Sequence, residues 1–352
     1  MNKERNFLQS KFMLTIYSIL ISFIVGAIFL VVMGISPATA YAKLLDGIFG
    51  KTKYIAYSVV YATPLILTGL SVAFSFRTGV FNIGAEGQFV VGSMAACVTG
   101  ILAGNLPAFL LIPLCFLAAA AAGALWGLIV AVLKTKWGIN EVLSMIMFNW
   151  IAFYLSNYIA GLPGIKTTGN AEATANVSAN ARILFPQEWR SALCKDSNWG
   201  ILVAIVAAIL IYLIIEKTTM GYSLKSVGFN RHAAEYAGIN VNRAIFTAMA
   251  ISGVLAGIAG ATQLLGMGQR ISIFSSQESY GFQGIIVALI GASNPIGCIF
   301  GGLFYGALKY GSAKLNLIGA PSEVIDIITG TIVFFIAISD VFKLKNRRGV
   351  RR

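Results

Sequence analysis

The residues best placed to do chemistry lie in one stretch, Arg77-Thr-Gly-Val-Phe-Asn-Ile-Gly-Ala-Glu-Gly-Gln88. Asn82, Glu86 and Gln88 stand where the flanking residues are those of a hydrocarbon-embedded helix. A carboxylate at such a depth costs on the order of 2.5–3.5 kcal/mol on insertion scales unless it faces protein or water. Gly79, Gly84 and Gly87 let the backbone bend there or approach a neighbour closely. Polar side chains on a glycine-punctuated membrane segment predict a passage for a polar solute. The plainer alternative is that Glu86 pairs with a backbone donor or a neighbouring cation. Further amides recur in apolar runs: Asn149 beside Trp150, then Asn157, Gln263 and Gln283. Amides can bond hydroxyls, and Trp150, Tyr154 or Phe282 offers a flat face for stacking. Buried amides also tie helices to one another without touching any solute.

The elements that must hold these residues follow from composition. The chain is 57% hydrophobic and 11% charged, with a mean hydropathy of +0.80. A soluble domain carries about 25% charged residues, so an all-α, polytopic membrane protein is expected. Apolar runs of bilayer length give about ten spans: 12–34, 54–76, 80–103, 107–133, 139–162, 199–216, 244–265, 282–293, 296–312 and 324–342. The eighth is too short to cross. Gly281, Gly284 and Gly291 punctuate it and Asn294-Pro295 ends it, which predicts a half-helix or re-entrant segment. The first run exceeds the roughly 7–15 apolar residues of a signal peptide and reads as a retained helix. GxxxG spacing at Gly123/Gly127, Gly253/Gly257, Gly297/Gly301 and Gly302/Gly306 predicts close helix packing.

Lys and Arg favour the side that carries both termini, so both are expected in the cytoplasm. That sidedness gives a single transmembrane domain, 1–352. It has an outer loop at 163–198, an inner loop at 217–243 between spans six and seven, and a basic inner tail at 343–352. The net charge of +13 is scattered over loop ends, with no stripe that would grip nucleic acid. Cys97, Cys115, Cys194 and Cys298 form no CxxC and the one His, His232, stands apart from them, so neither a zinc site nor a disulfide framework is indicated. Gly47-Ile-Phe-Gly-Lys-Thr52 ends like a phosphate loop, but the pattern needs a glycine where Leu45 stands. No hydrolase motif occurs in a workable setting, so this chain is expected to bind no metal or cofactor and to hydrolyse nothing.

The inner loop contains a cappable helix. Asn230 is a good N-cap, Arg231 to Ala237 can turn twice, and Gly238 is placed as a stop. A second short helix is predicted from Tyr222 to Val227, ending at Gly228. A short helix with small residues at Ala233, Ala234 and Ala237 suits docking in another protein's groove.

Gly228-x-Asn230-x-x-Ala233-Ala234-x-x-x-Gly238-Ile239 resembles the coupling-loop motif of ABC importer permeases of the simple-sugar and branched-chain amino acid branch. Phe81-Asn-Ile-Gly-Ala-Glu-Gly-Gln88 resembles the signature of its nucleoside subset, which depends on a basic membrane lipoprotein. The layout is similar to the cobalamin-importer (type II) permease fold. The resemblance implies a non-catalytic transmembrane subunit in a bacterial plasma membrane. It would be paired with a second, paralogous permease and fed by an external substrate-binding lipoprotein. A nucleotide-binding ATPase subunit carrying ATP-Mg would drive import. Gly228, Asn230, Arg231, Ala233, Ala234, Glu235, Gly238 and Ile239 would then form the ATPase-coupling segment. Asn82, Glu86, Gln88, Asn149, Trp150, Asn157, Gln263 and Gln283 are the residues expected along the substrate pathway. A pentose-type sugar is the alternative cargo. An ion-coupled carrier using Glu86 or Asp326 is the competing mechanism.

Overall fold

The computed structural model describes residues 11–169, 171–273 and 275–349. Lys3 and Arg5 at one end, and Arg351 and Arg352 of the expected basic tail, lie outside the described residues. The elements are α1 Lys11–Val32, α2 Pro37–Phe49, α3 Thr52–Arg77, α4 Ala85–Leu102, α5 Ala108–Trp137, α6 Glu141–Ala160 and the short α7 Gln187–Ala192. They continue as α8 Gly200–Lys217, α9 Thr219–Phe229, α10 Arg231–Tyr236, α11 Val241–Gln263, α12 Tyr280–Ile290, α13 Pro295–Ser312 and α14 Val324–Gly349. Among the described residues only isolated bridges break the all-helical character.

Each predicted apolar run contains a helix, but the 80–103 run starts its helix only at Ala85 and the runs are not ten equal spans. Among the described residues seven helices are long and apolar enough to cross a membrane, and the bent pair Tyr280–Ile290 and Pro295–Ile318 would make an eighth. That pair turns by 119°, as the glycines and Asn294-Pro295 predict. The Asn294 side chain accepts from the Ile296 amide at 2.9 Å, and Pro295 opens the next helix where a missing N–H costs nothing. In α14 the apolar part is Val324–Ile338. Residues 343–349 of the expected basic tail continue that helix.

Burial sorts the helices into a core and a shell. The hydropathic window of α3 is 83% buried, against 22% for those of α1 and α5, so α3 is the bundle's axis and the others face lipid. The four GxxxG pairs pack inside this chain. A Cβ on Gly253 would overlap the backbone of Gly123, and one on Gly257 the backbone of Ala119, so α5 and α11 touch backbone to backbone. Gly302 and Gly306 lie against Ile66 and Ala62 of α3 in the same way.

Two features were not expected. α2 is a 13-residue helix with Ala40, Leu44 and Ile48 buried on one face, too short to span but amphipathic. Part of the 163–198 segment packs onto the bundle while the rest is exposed. Val177, Ala181 and Ile183 join a core cluster with Met94, Cys97 and Leu264, and Thr174 Oγ1 accepts from the Ile271 amide at 3.0 Å.

Candidate functional site

Residues 78–84 are not helical, although the sequence places them in a span. From the end of α3 they turn at Gly79 (φ +70°) and come back beside it, so that Asn82 meets Ser71 before α4 begins at Ala85. Asn82 Nδ2 donates to Gln88 Oε1 at 3.0 Å, to Ser71 Oγ at 3.3 Å and to Ser252 Oγ, while Ser252 Oγ also donates to the Ser71 carbonyl at 2.9 Å. Asn149, from α6, accepts from the Gly87 amide at 2.8 Å and donates to the Ile83 carbonyl at 3.1 Å. Asn82, Gln88, Ser71, Ser252 and Asn149 are all buried. The desolvation of these groups is offset by hydrogen bonds within the cluster or to nearby backbone.

Glu86 has a different partner. Its Oε1 accepts from the Ser279 amide and its Oε2 from the Gly281 amide, both at 2.7 Å. Those amides open the half-helix α12, whose dipole puts partial positive charge there. At the other end of α12, Arg77 Nε donates to the Ser293 carbonyl at 3.0 Å. One stretch thus sets an anion at the N-terminal end of the half-helix and a cation at its C-terminal end. The ends are strained as well: Ser279, Ala292 and Ser293 all have positive φ, at 69°, 52° and 52°. Each such non-glycine residue costs on the order of 1 kcal/mol or more. Gly281 cannot be larger, because a Cβ would fall on the Glu86 backbone.

Gln263 lies by the hydroxyl of Tyr280, the first residue of α12, and Tyr280 stacks on Phe89 at 5.0 Å. Gln283 is half-buried one turn further along α12. Trp150 lies outside this group: it is 45% exposed and stacked on Tyr154 along α6. Asn157 follows nearly two turns on, half-buried. Sequence reasoning did not single out Ser71, Ser252, Arg77 or Tyr280. Serines in apolar helices carry no spacing signal, and Arg77 reads as an interfacial anchor.

The loop between α8 and α11 folds as two capped helices. Asn230 Oδ1 accepts from the Ala233 amide at 3.1 Å, and Gly238 closes α10 with φ +79°. α9 runs past the predicted stop to Phe229. Gly228 is glycine for another reason: its Cα faces the α3 terminus, and a Cβ would overlap the Arg77 carbonyl. Arg231 Nη2 donates to the Gly79 carbonyl at 3.3 Å. The two sequence motifs therefore touch. Ala234 is 3% exposed and packs inward, and Ile239 is half-buried. Ala233, Glu235 and Ala237 are exposed, beside Phe229 at 91% and Tyr236 at 95%. Two bare aromatic side chains on a capped loop are the anchors an interface needs. Among the described residues no group of acidic, His and Cys side chains could hold a metal ion.

A family model described as branched-chain amino acid transport system / permease component matches residues 54–337. The chain is 39% identical over 331 residues to the guanosine ABC transporter permease protein NupP of Bacillus subtilis (strain 168), covering 94% of each. It is 32% identical to the nucleoside ABC transporter permease protein NupB of Lactococcus lactis subsp. cremoris (strain MG1363), over 95% of this chain and 93% of that one. It is also 32% identical to the glucose ABC transporter permease protein TsgB13 of Haloferax volcanii, over 93% and 87%.

Proposed function

Since the chain belongs to the family of branched-chain amino acid transport system permease components, we propose that it is the membrane-spanning permease subunit of an ATP-driven nucleoside importer. The observation that carries this reading is the near full-length likeness to NupP, with NupB supporting it. The whole chain then acts as one permease domain of the type II kind. It lies in a bacterial cytoplasmic membrane, with both termini and the 217–243 loop inside, as the distribution of Lys and Arg favours. Its partners are a nucleotide-binding ATPase that holds ATP-Mg, a second permease chain and an external substrate-binding lipoprotein. The permease contributes no catalytic group.

The mechanism follows from the tie between the two motifs. An ATPase gripping Phe229, Glu235 and Tyr236 moves α9 and α10. Gly228 and Arg231 are seated on Arg77 and Gly79, so the motion enters the 77–88 stretch. That stretch holds α12 at both ends, so the half-helix moves with it. Asn82, Glu86, Gln88 and Asn149 are fully engaged with one another or with backbone, which favours a wall-holding role over direct solute contact. Gln263, Gln283 and Tyr280, at the half-helix, border the route. Trp150 and Asn157 would border it only where a second permease covers α6.

Uptake of radiolabelled guanosine into proteoliposomes bearing the full complex tests the reading. ATP-dependent accumulation that excess glucose does not suppress is expected. Uptake that survives ATP depletion and collapses with an ionophore would establish the ion-coupled carrier instead. In the same assay Gly238→Pro should cut uptake at least about tenfold while ATPase activity persists and the chain still inserts. Proline cannot adopt φ +79° and removes the amide that bonds the Glu235 carbonyl at 2.9 Å. Glu235→Arg should behave likewise by reversing charge at the interface.

A further inference from the structure

At the end of the bundle opposite the α9–α10 loop, the first turns of α3, the last turn of α13 and residues 195–196 line an open pocket of about 520 Å3. Tyr54, Tyr57 and Tyr61 reach it from one face of α3, three and four residues apart. Tyr310 of α13 completes the floor, stacked on Tyr57 at 5.1 Å and 17° and tilted against Tyr61 at 5.7 Å. Lys51, Lys53 and Lys195 ring the mouth, and Asp196 is the one acid lining it. Lys314 fixes the nearest ring. Its ammonium lies 3.0 Å from the Tyr54 hydroxyl and 4.6 Å from the ring centroid.

Leucine would close this helix pair at lower polar cost. Half-buried phenols at an aqueous mouth instead present flat apolar faces with polar edges, which suits a planar heterocycle. Ammonium groups donate to the carbonyl and ring-nitrogen acceptors of a base, and a carboxylate accepts from the two hydroxyls of a ribose diol. Tyr61 lines the pocket's inner side, two turns along α3 from Tyr54.

We propose that this pocket is a receiving site for a ribonucleoside, its base stacked on the Tyr57–Tyr310 pair and its diol held by Asp196. The proposal deepens the nucleoside-import reading and rests on it for the choice of ligand. The test is photolabelling of the assembled complex with 8-azidoguanosine in nanodiscs, without the external binding protein. Label is expected in peptides 52–61 and 303–314. Guanosine should compete about tenfold better than 2′-deoxyguanosine, and Tyr310→Leu or Asp196→Asn should each lower labelling about tenfold. Tyr310→Phe, which keeps the ring, should label like the parent and so separates stacking from misfolding.

Labelling indifferent to both Tyr310→Leu and Asp196→Asn overturns the proposal. So does loss of affinity for the external protein with labelling unchanged, which would make the pocket a docking surface. Failure of the importer reading looks different: the complex accumulates some other solute while the pocket still takes the label with the expected ribose preference, and the receiving site stands.

Discussion

Glu86→Ala is expected to abolish nucleoside uptake and to lower the thermal stability of the chain. The carboxylate accepts from the Ser279 and Gly281 amides at 2.7 Å each, at the positive end of α12. Alanine leaves the buried Gly281 N–H without a partner, at about 1–3 kcal/mol, strips the part-buried Ser279 N–H of its partner, and removes the favourable charge–dipole interaction, worth a further 0.3–2 kcal/mol or so. Glu86→Gln should do less damage, because its carbonyl still accepts one bond while its NH2 opposes the second donor. The ranking expected is Glu, then Gln, then Ala, in both uptake and melting temperature of the purified complex. A solute-binding carboxylate outside the fold's support would lose uptake in both variants with melting unchanged.

Gly253→Leu carries the largest expected effect on folding. Its Cβ position falls on the Gly123 carbonyl, with the Gly123 carbonyl carbon and Ala124 Cα at 2.7 and 3.0 Å. Those are backbone atoms, which cannot rotate away, so α5 and α11 must separate. Overpacking by a side chain that neighbours can dodge costs about 1–3 kcal/mol. A backbone clash at the crossing of two helices exceeds that, and little folded protein should accumulate in the membrane. Gly330→Leu serves as the control, since no atom lies within 4 Å of its Cβ position. Equal membrane levels of the two variants would show that the α5–α11 crossing is not as described.

Some of this was legible in the sequence. The half-helix announced itself through Gly281, Gly284, Gly291 and Asn294-Pro295, because local breakers act wherever they stand. Asn230 and Gly238 marked the ends of α10 for the same reason. The alternative that Glu86 meets a backbone donor matches its geometry. What depends on distant partners was hidden. The hydropathy of residues 78–84 looks helical, and only Ser71 and Ser252 reveal the partners that hold Asn82 in a non-helical turn. Gly228 looked like a stop and is instead a contact with Arg77. Ala234 shares its small size with Ala233, and nothing local tells which one faces inward. Tyr57 and Tyr310 are separated by most of the chain, so their stack has no sequence signature.

The central claim is that motion of the α9–α10 loop reaches α12 through residues 77–88. Hydrogen exchange of the peptide spanning Ser279 to Ile290, compared between ATP-bound and ADP-bound complex, measures it most directly. Exchange in this peptide is predicted to change with nucleotide in the parent complex. In Arg231→Ala, which loses the bond to the Gly79 carbonyl, the change should shrink severalfold while the ATPase stays bound. A parent complex whose α12 exchange ignores nucleotide, or an Arg231→Ala complex that keeps the full response, would contradict the account.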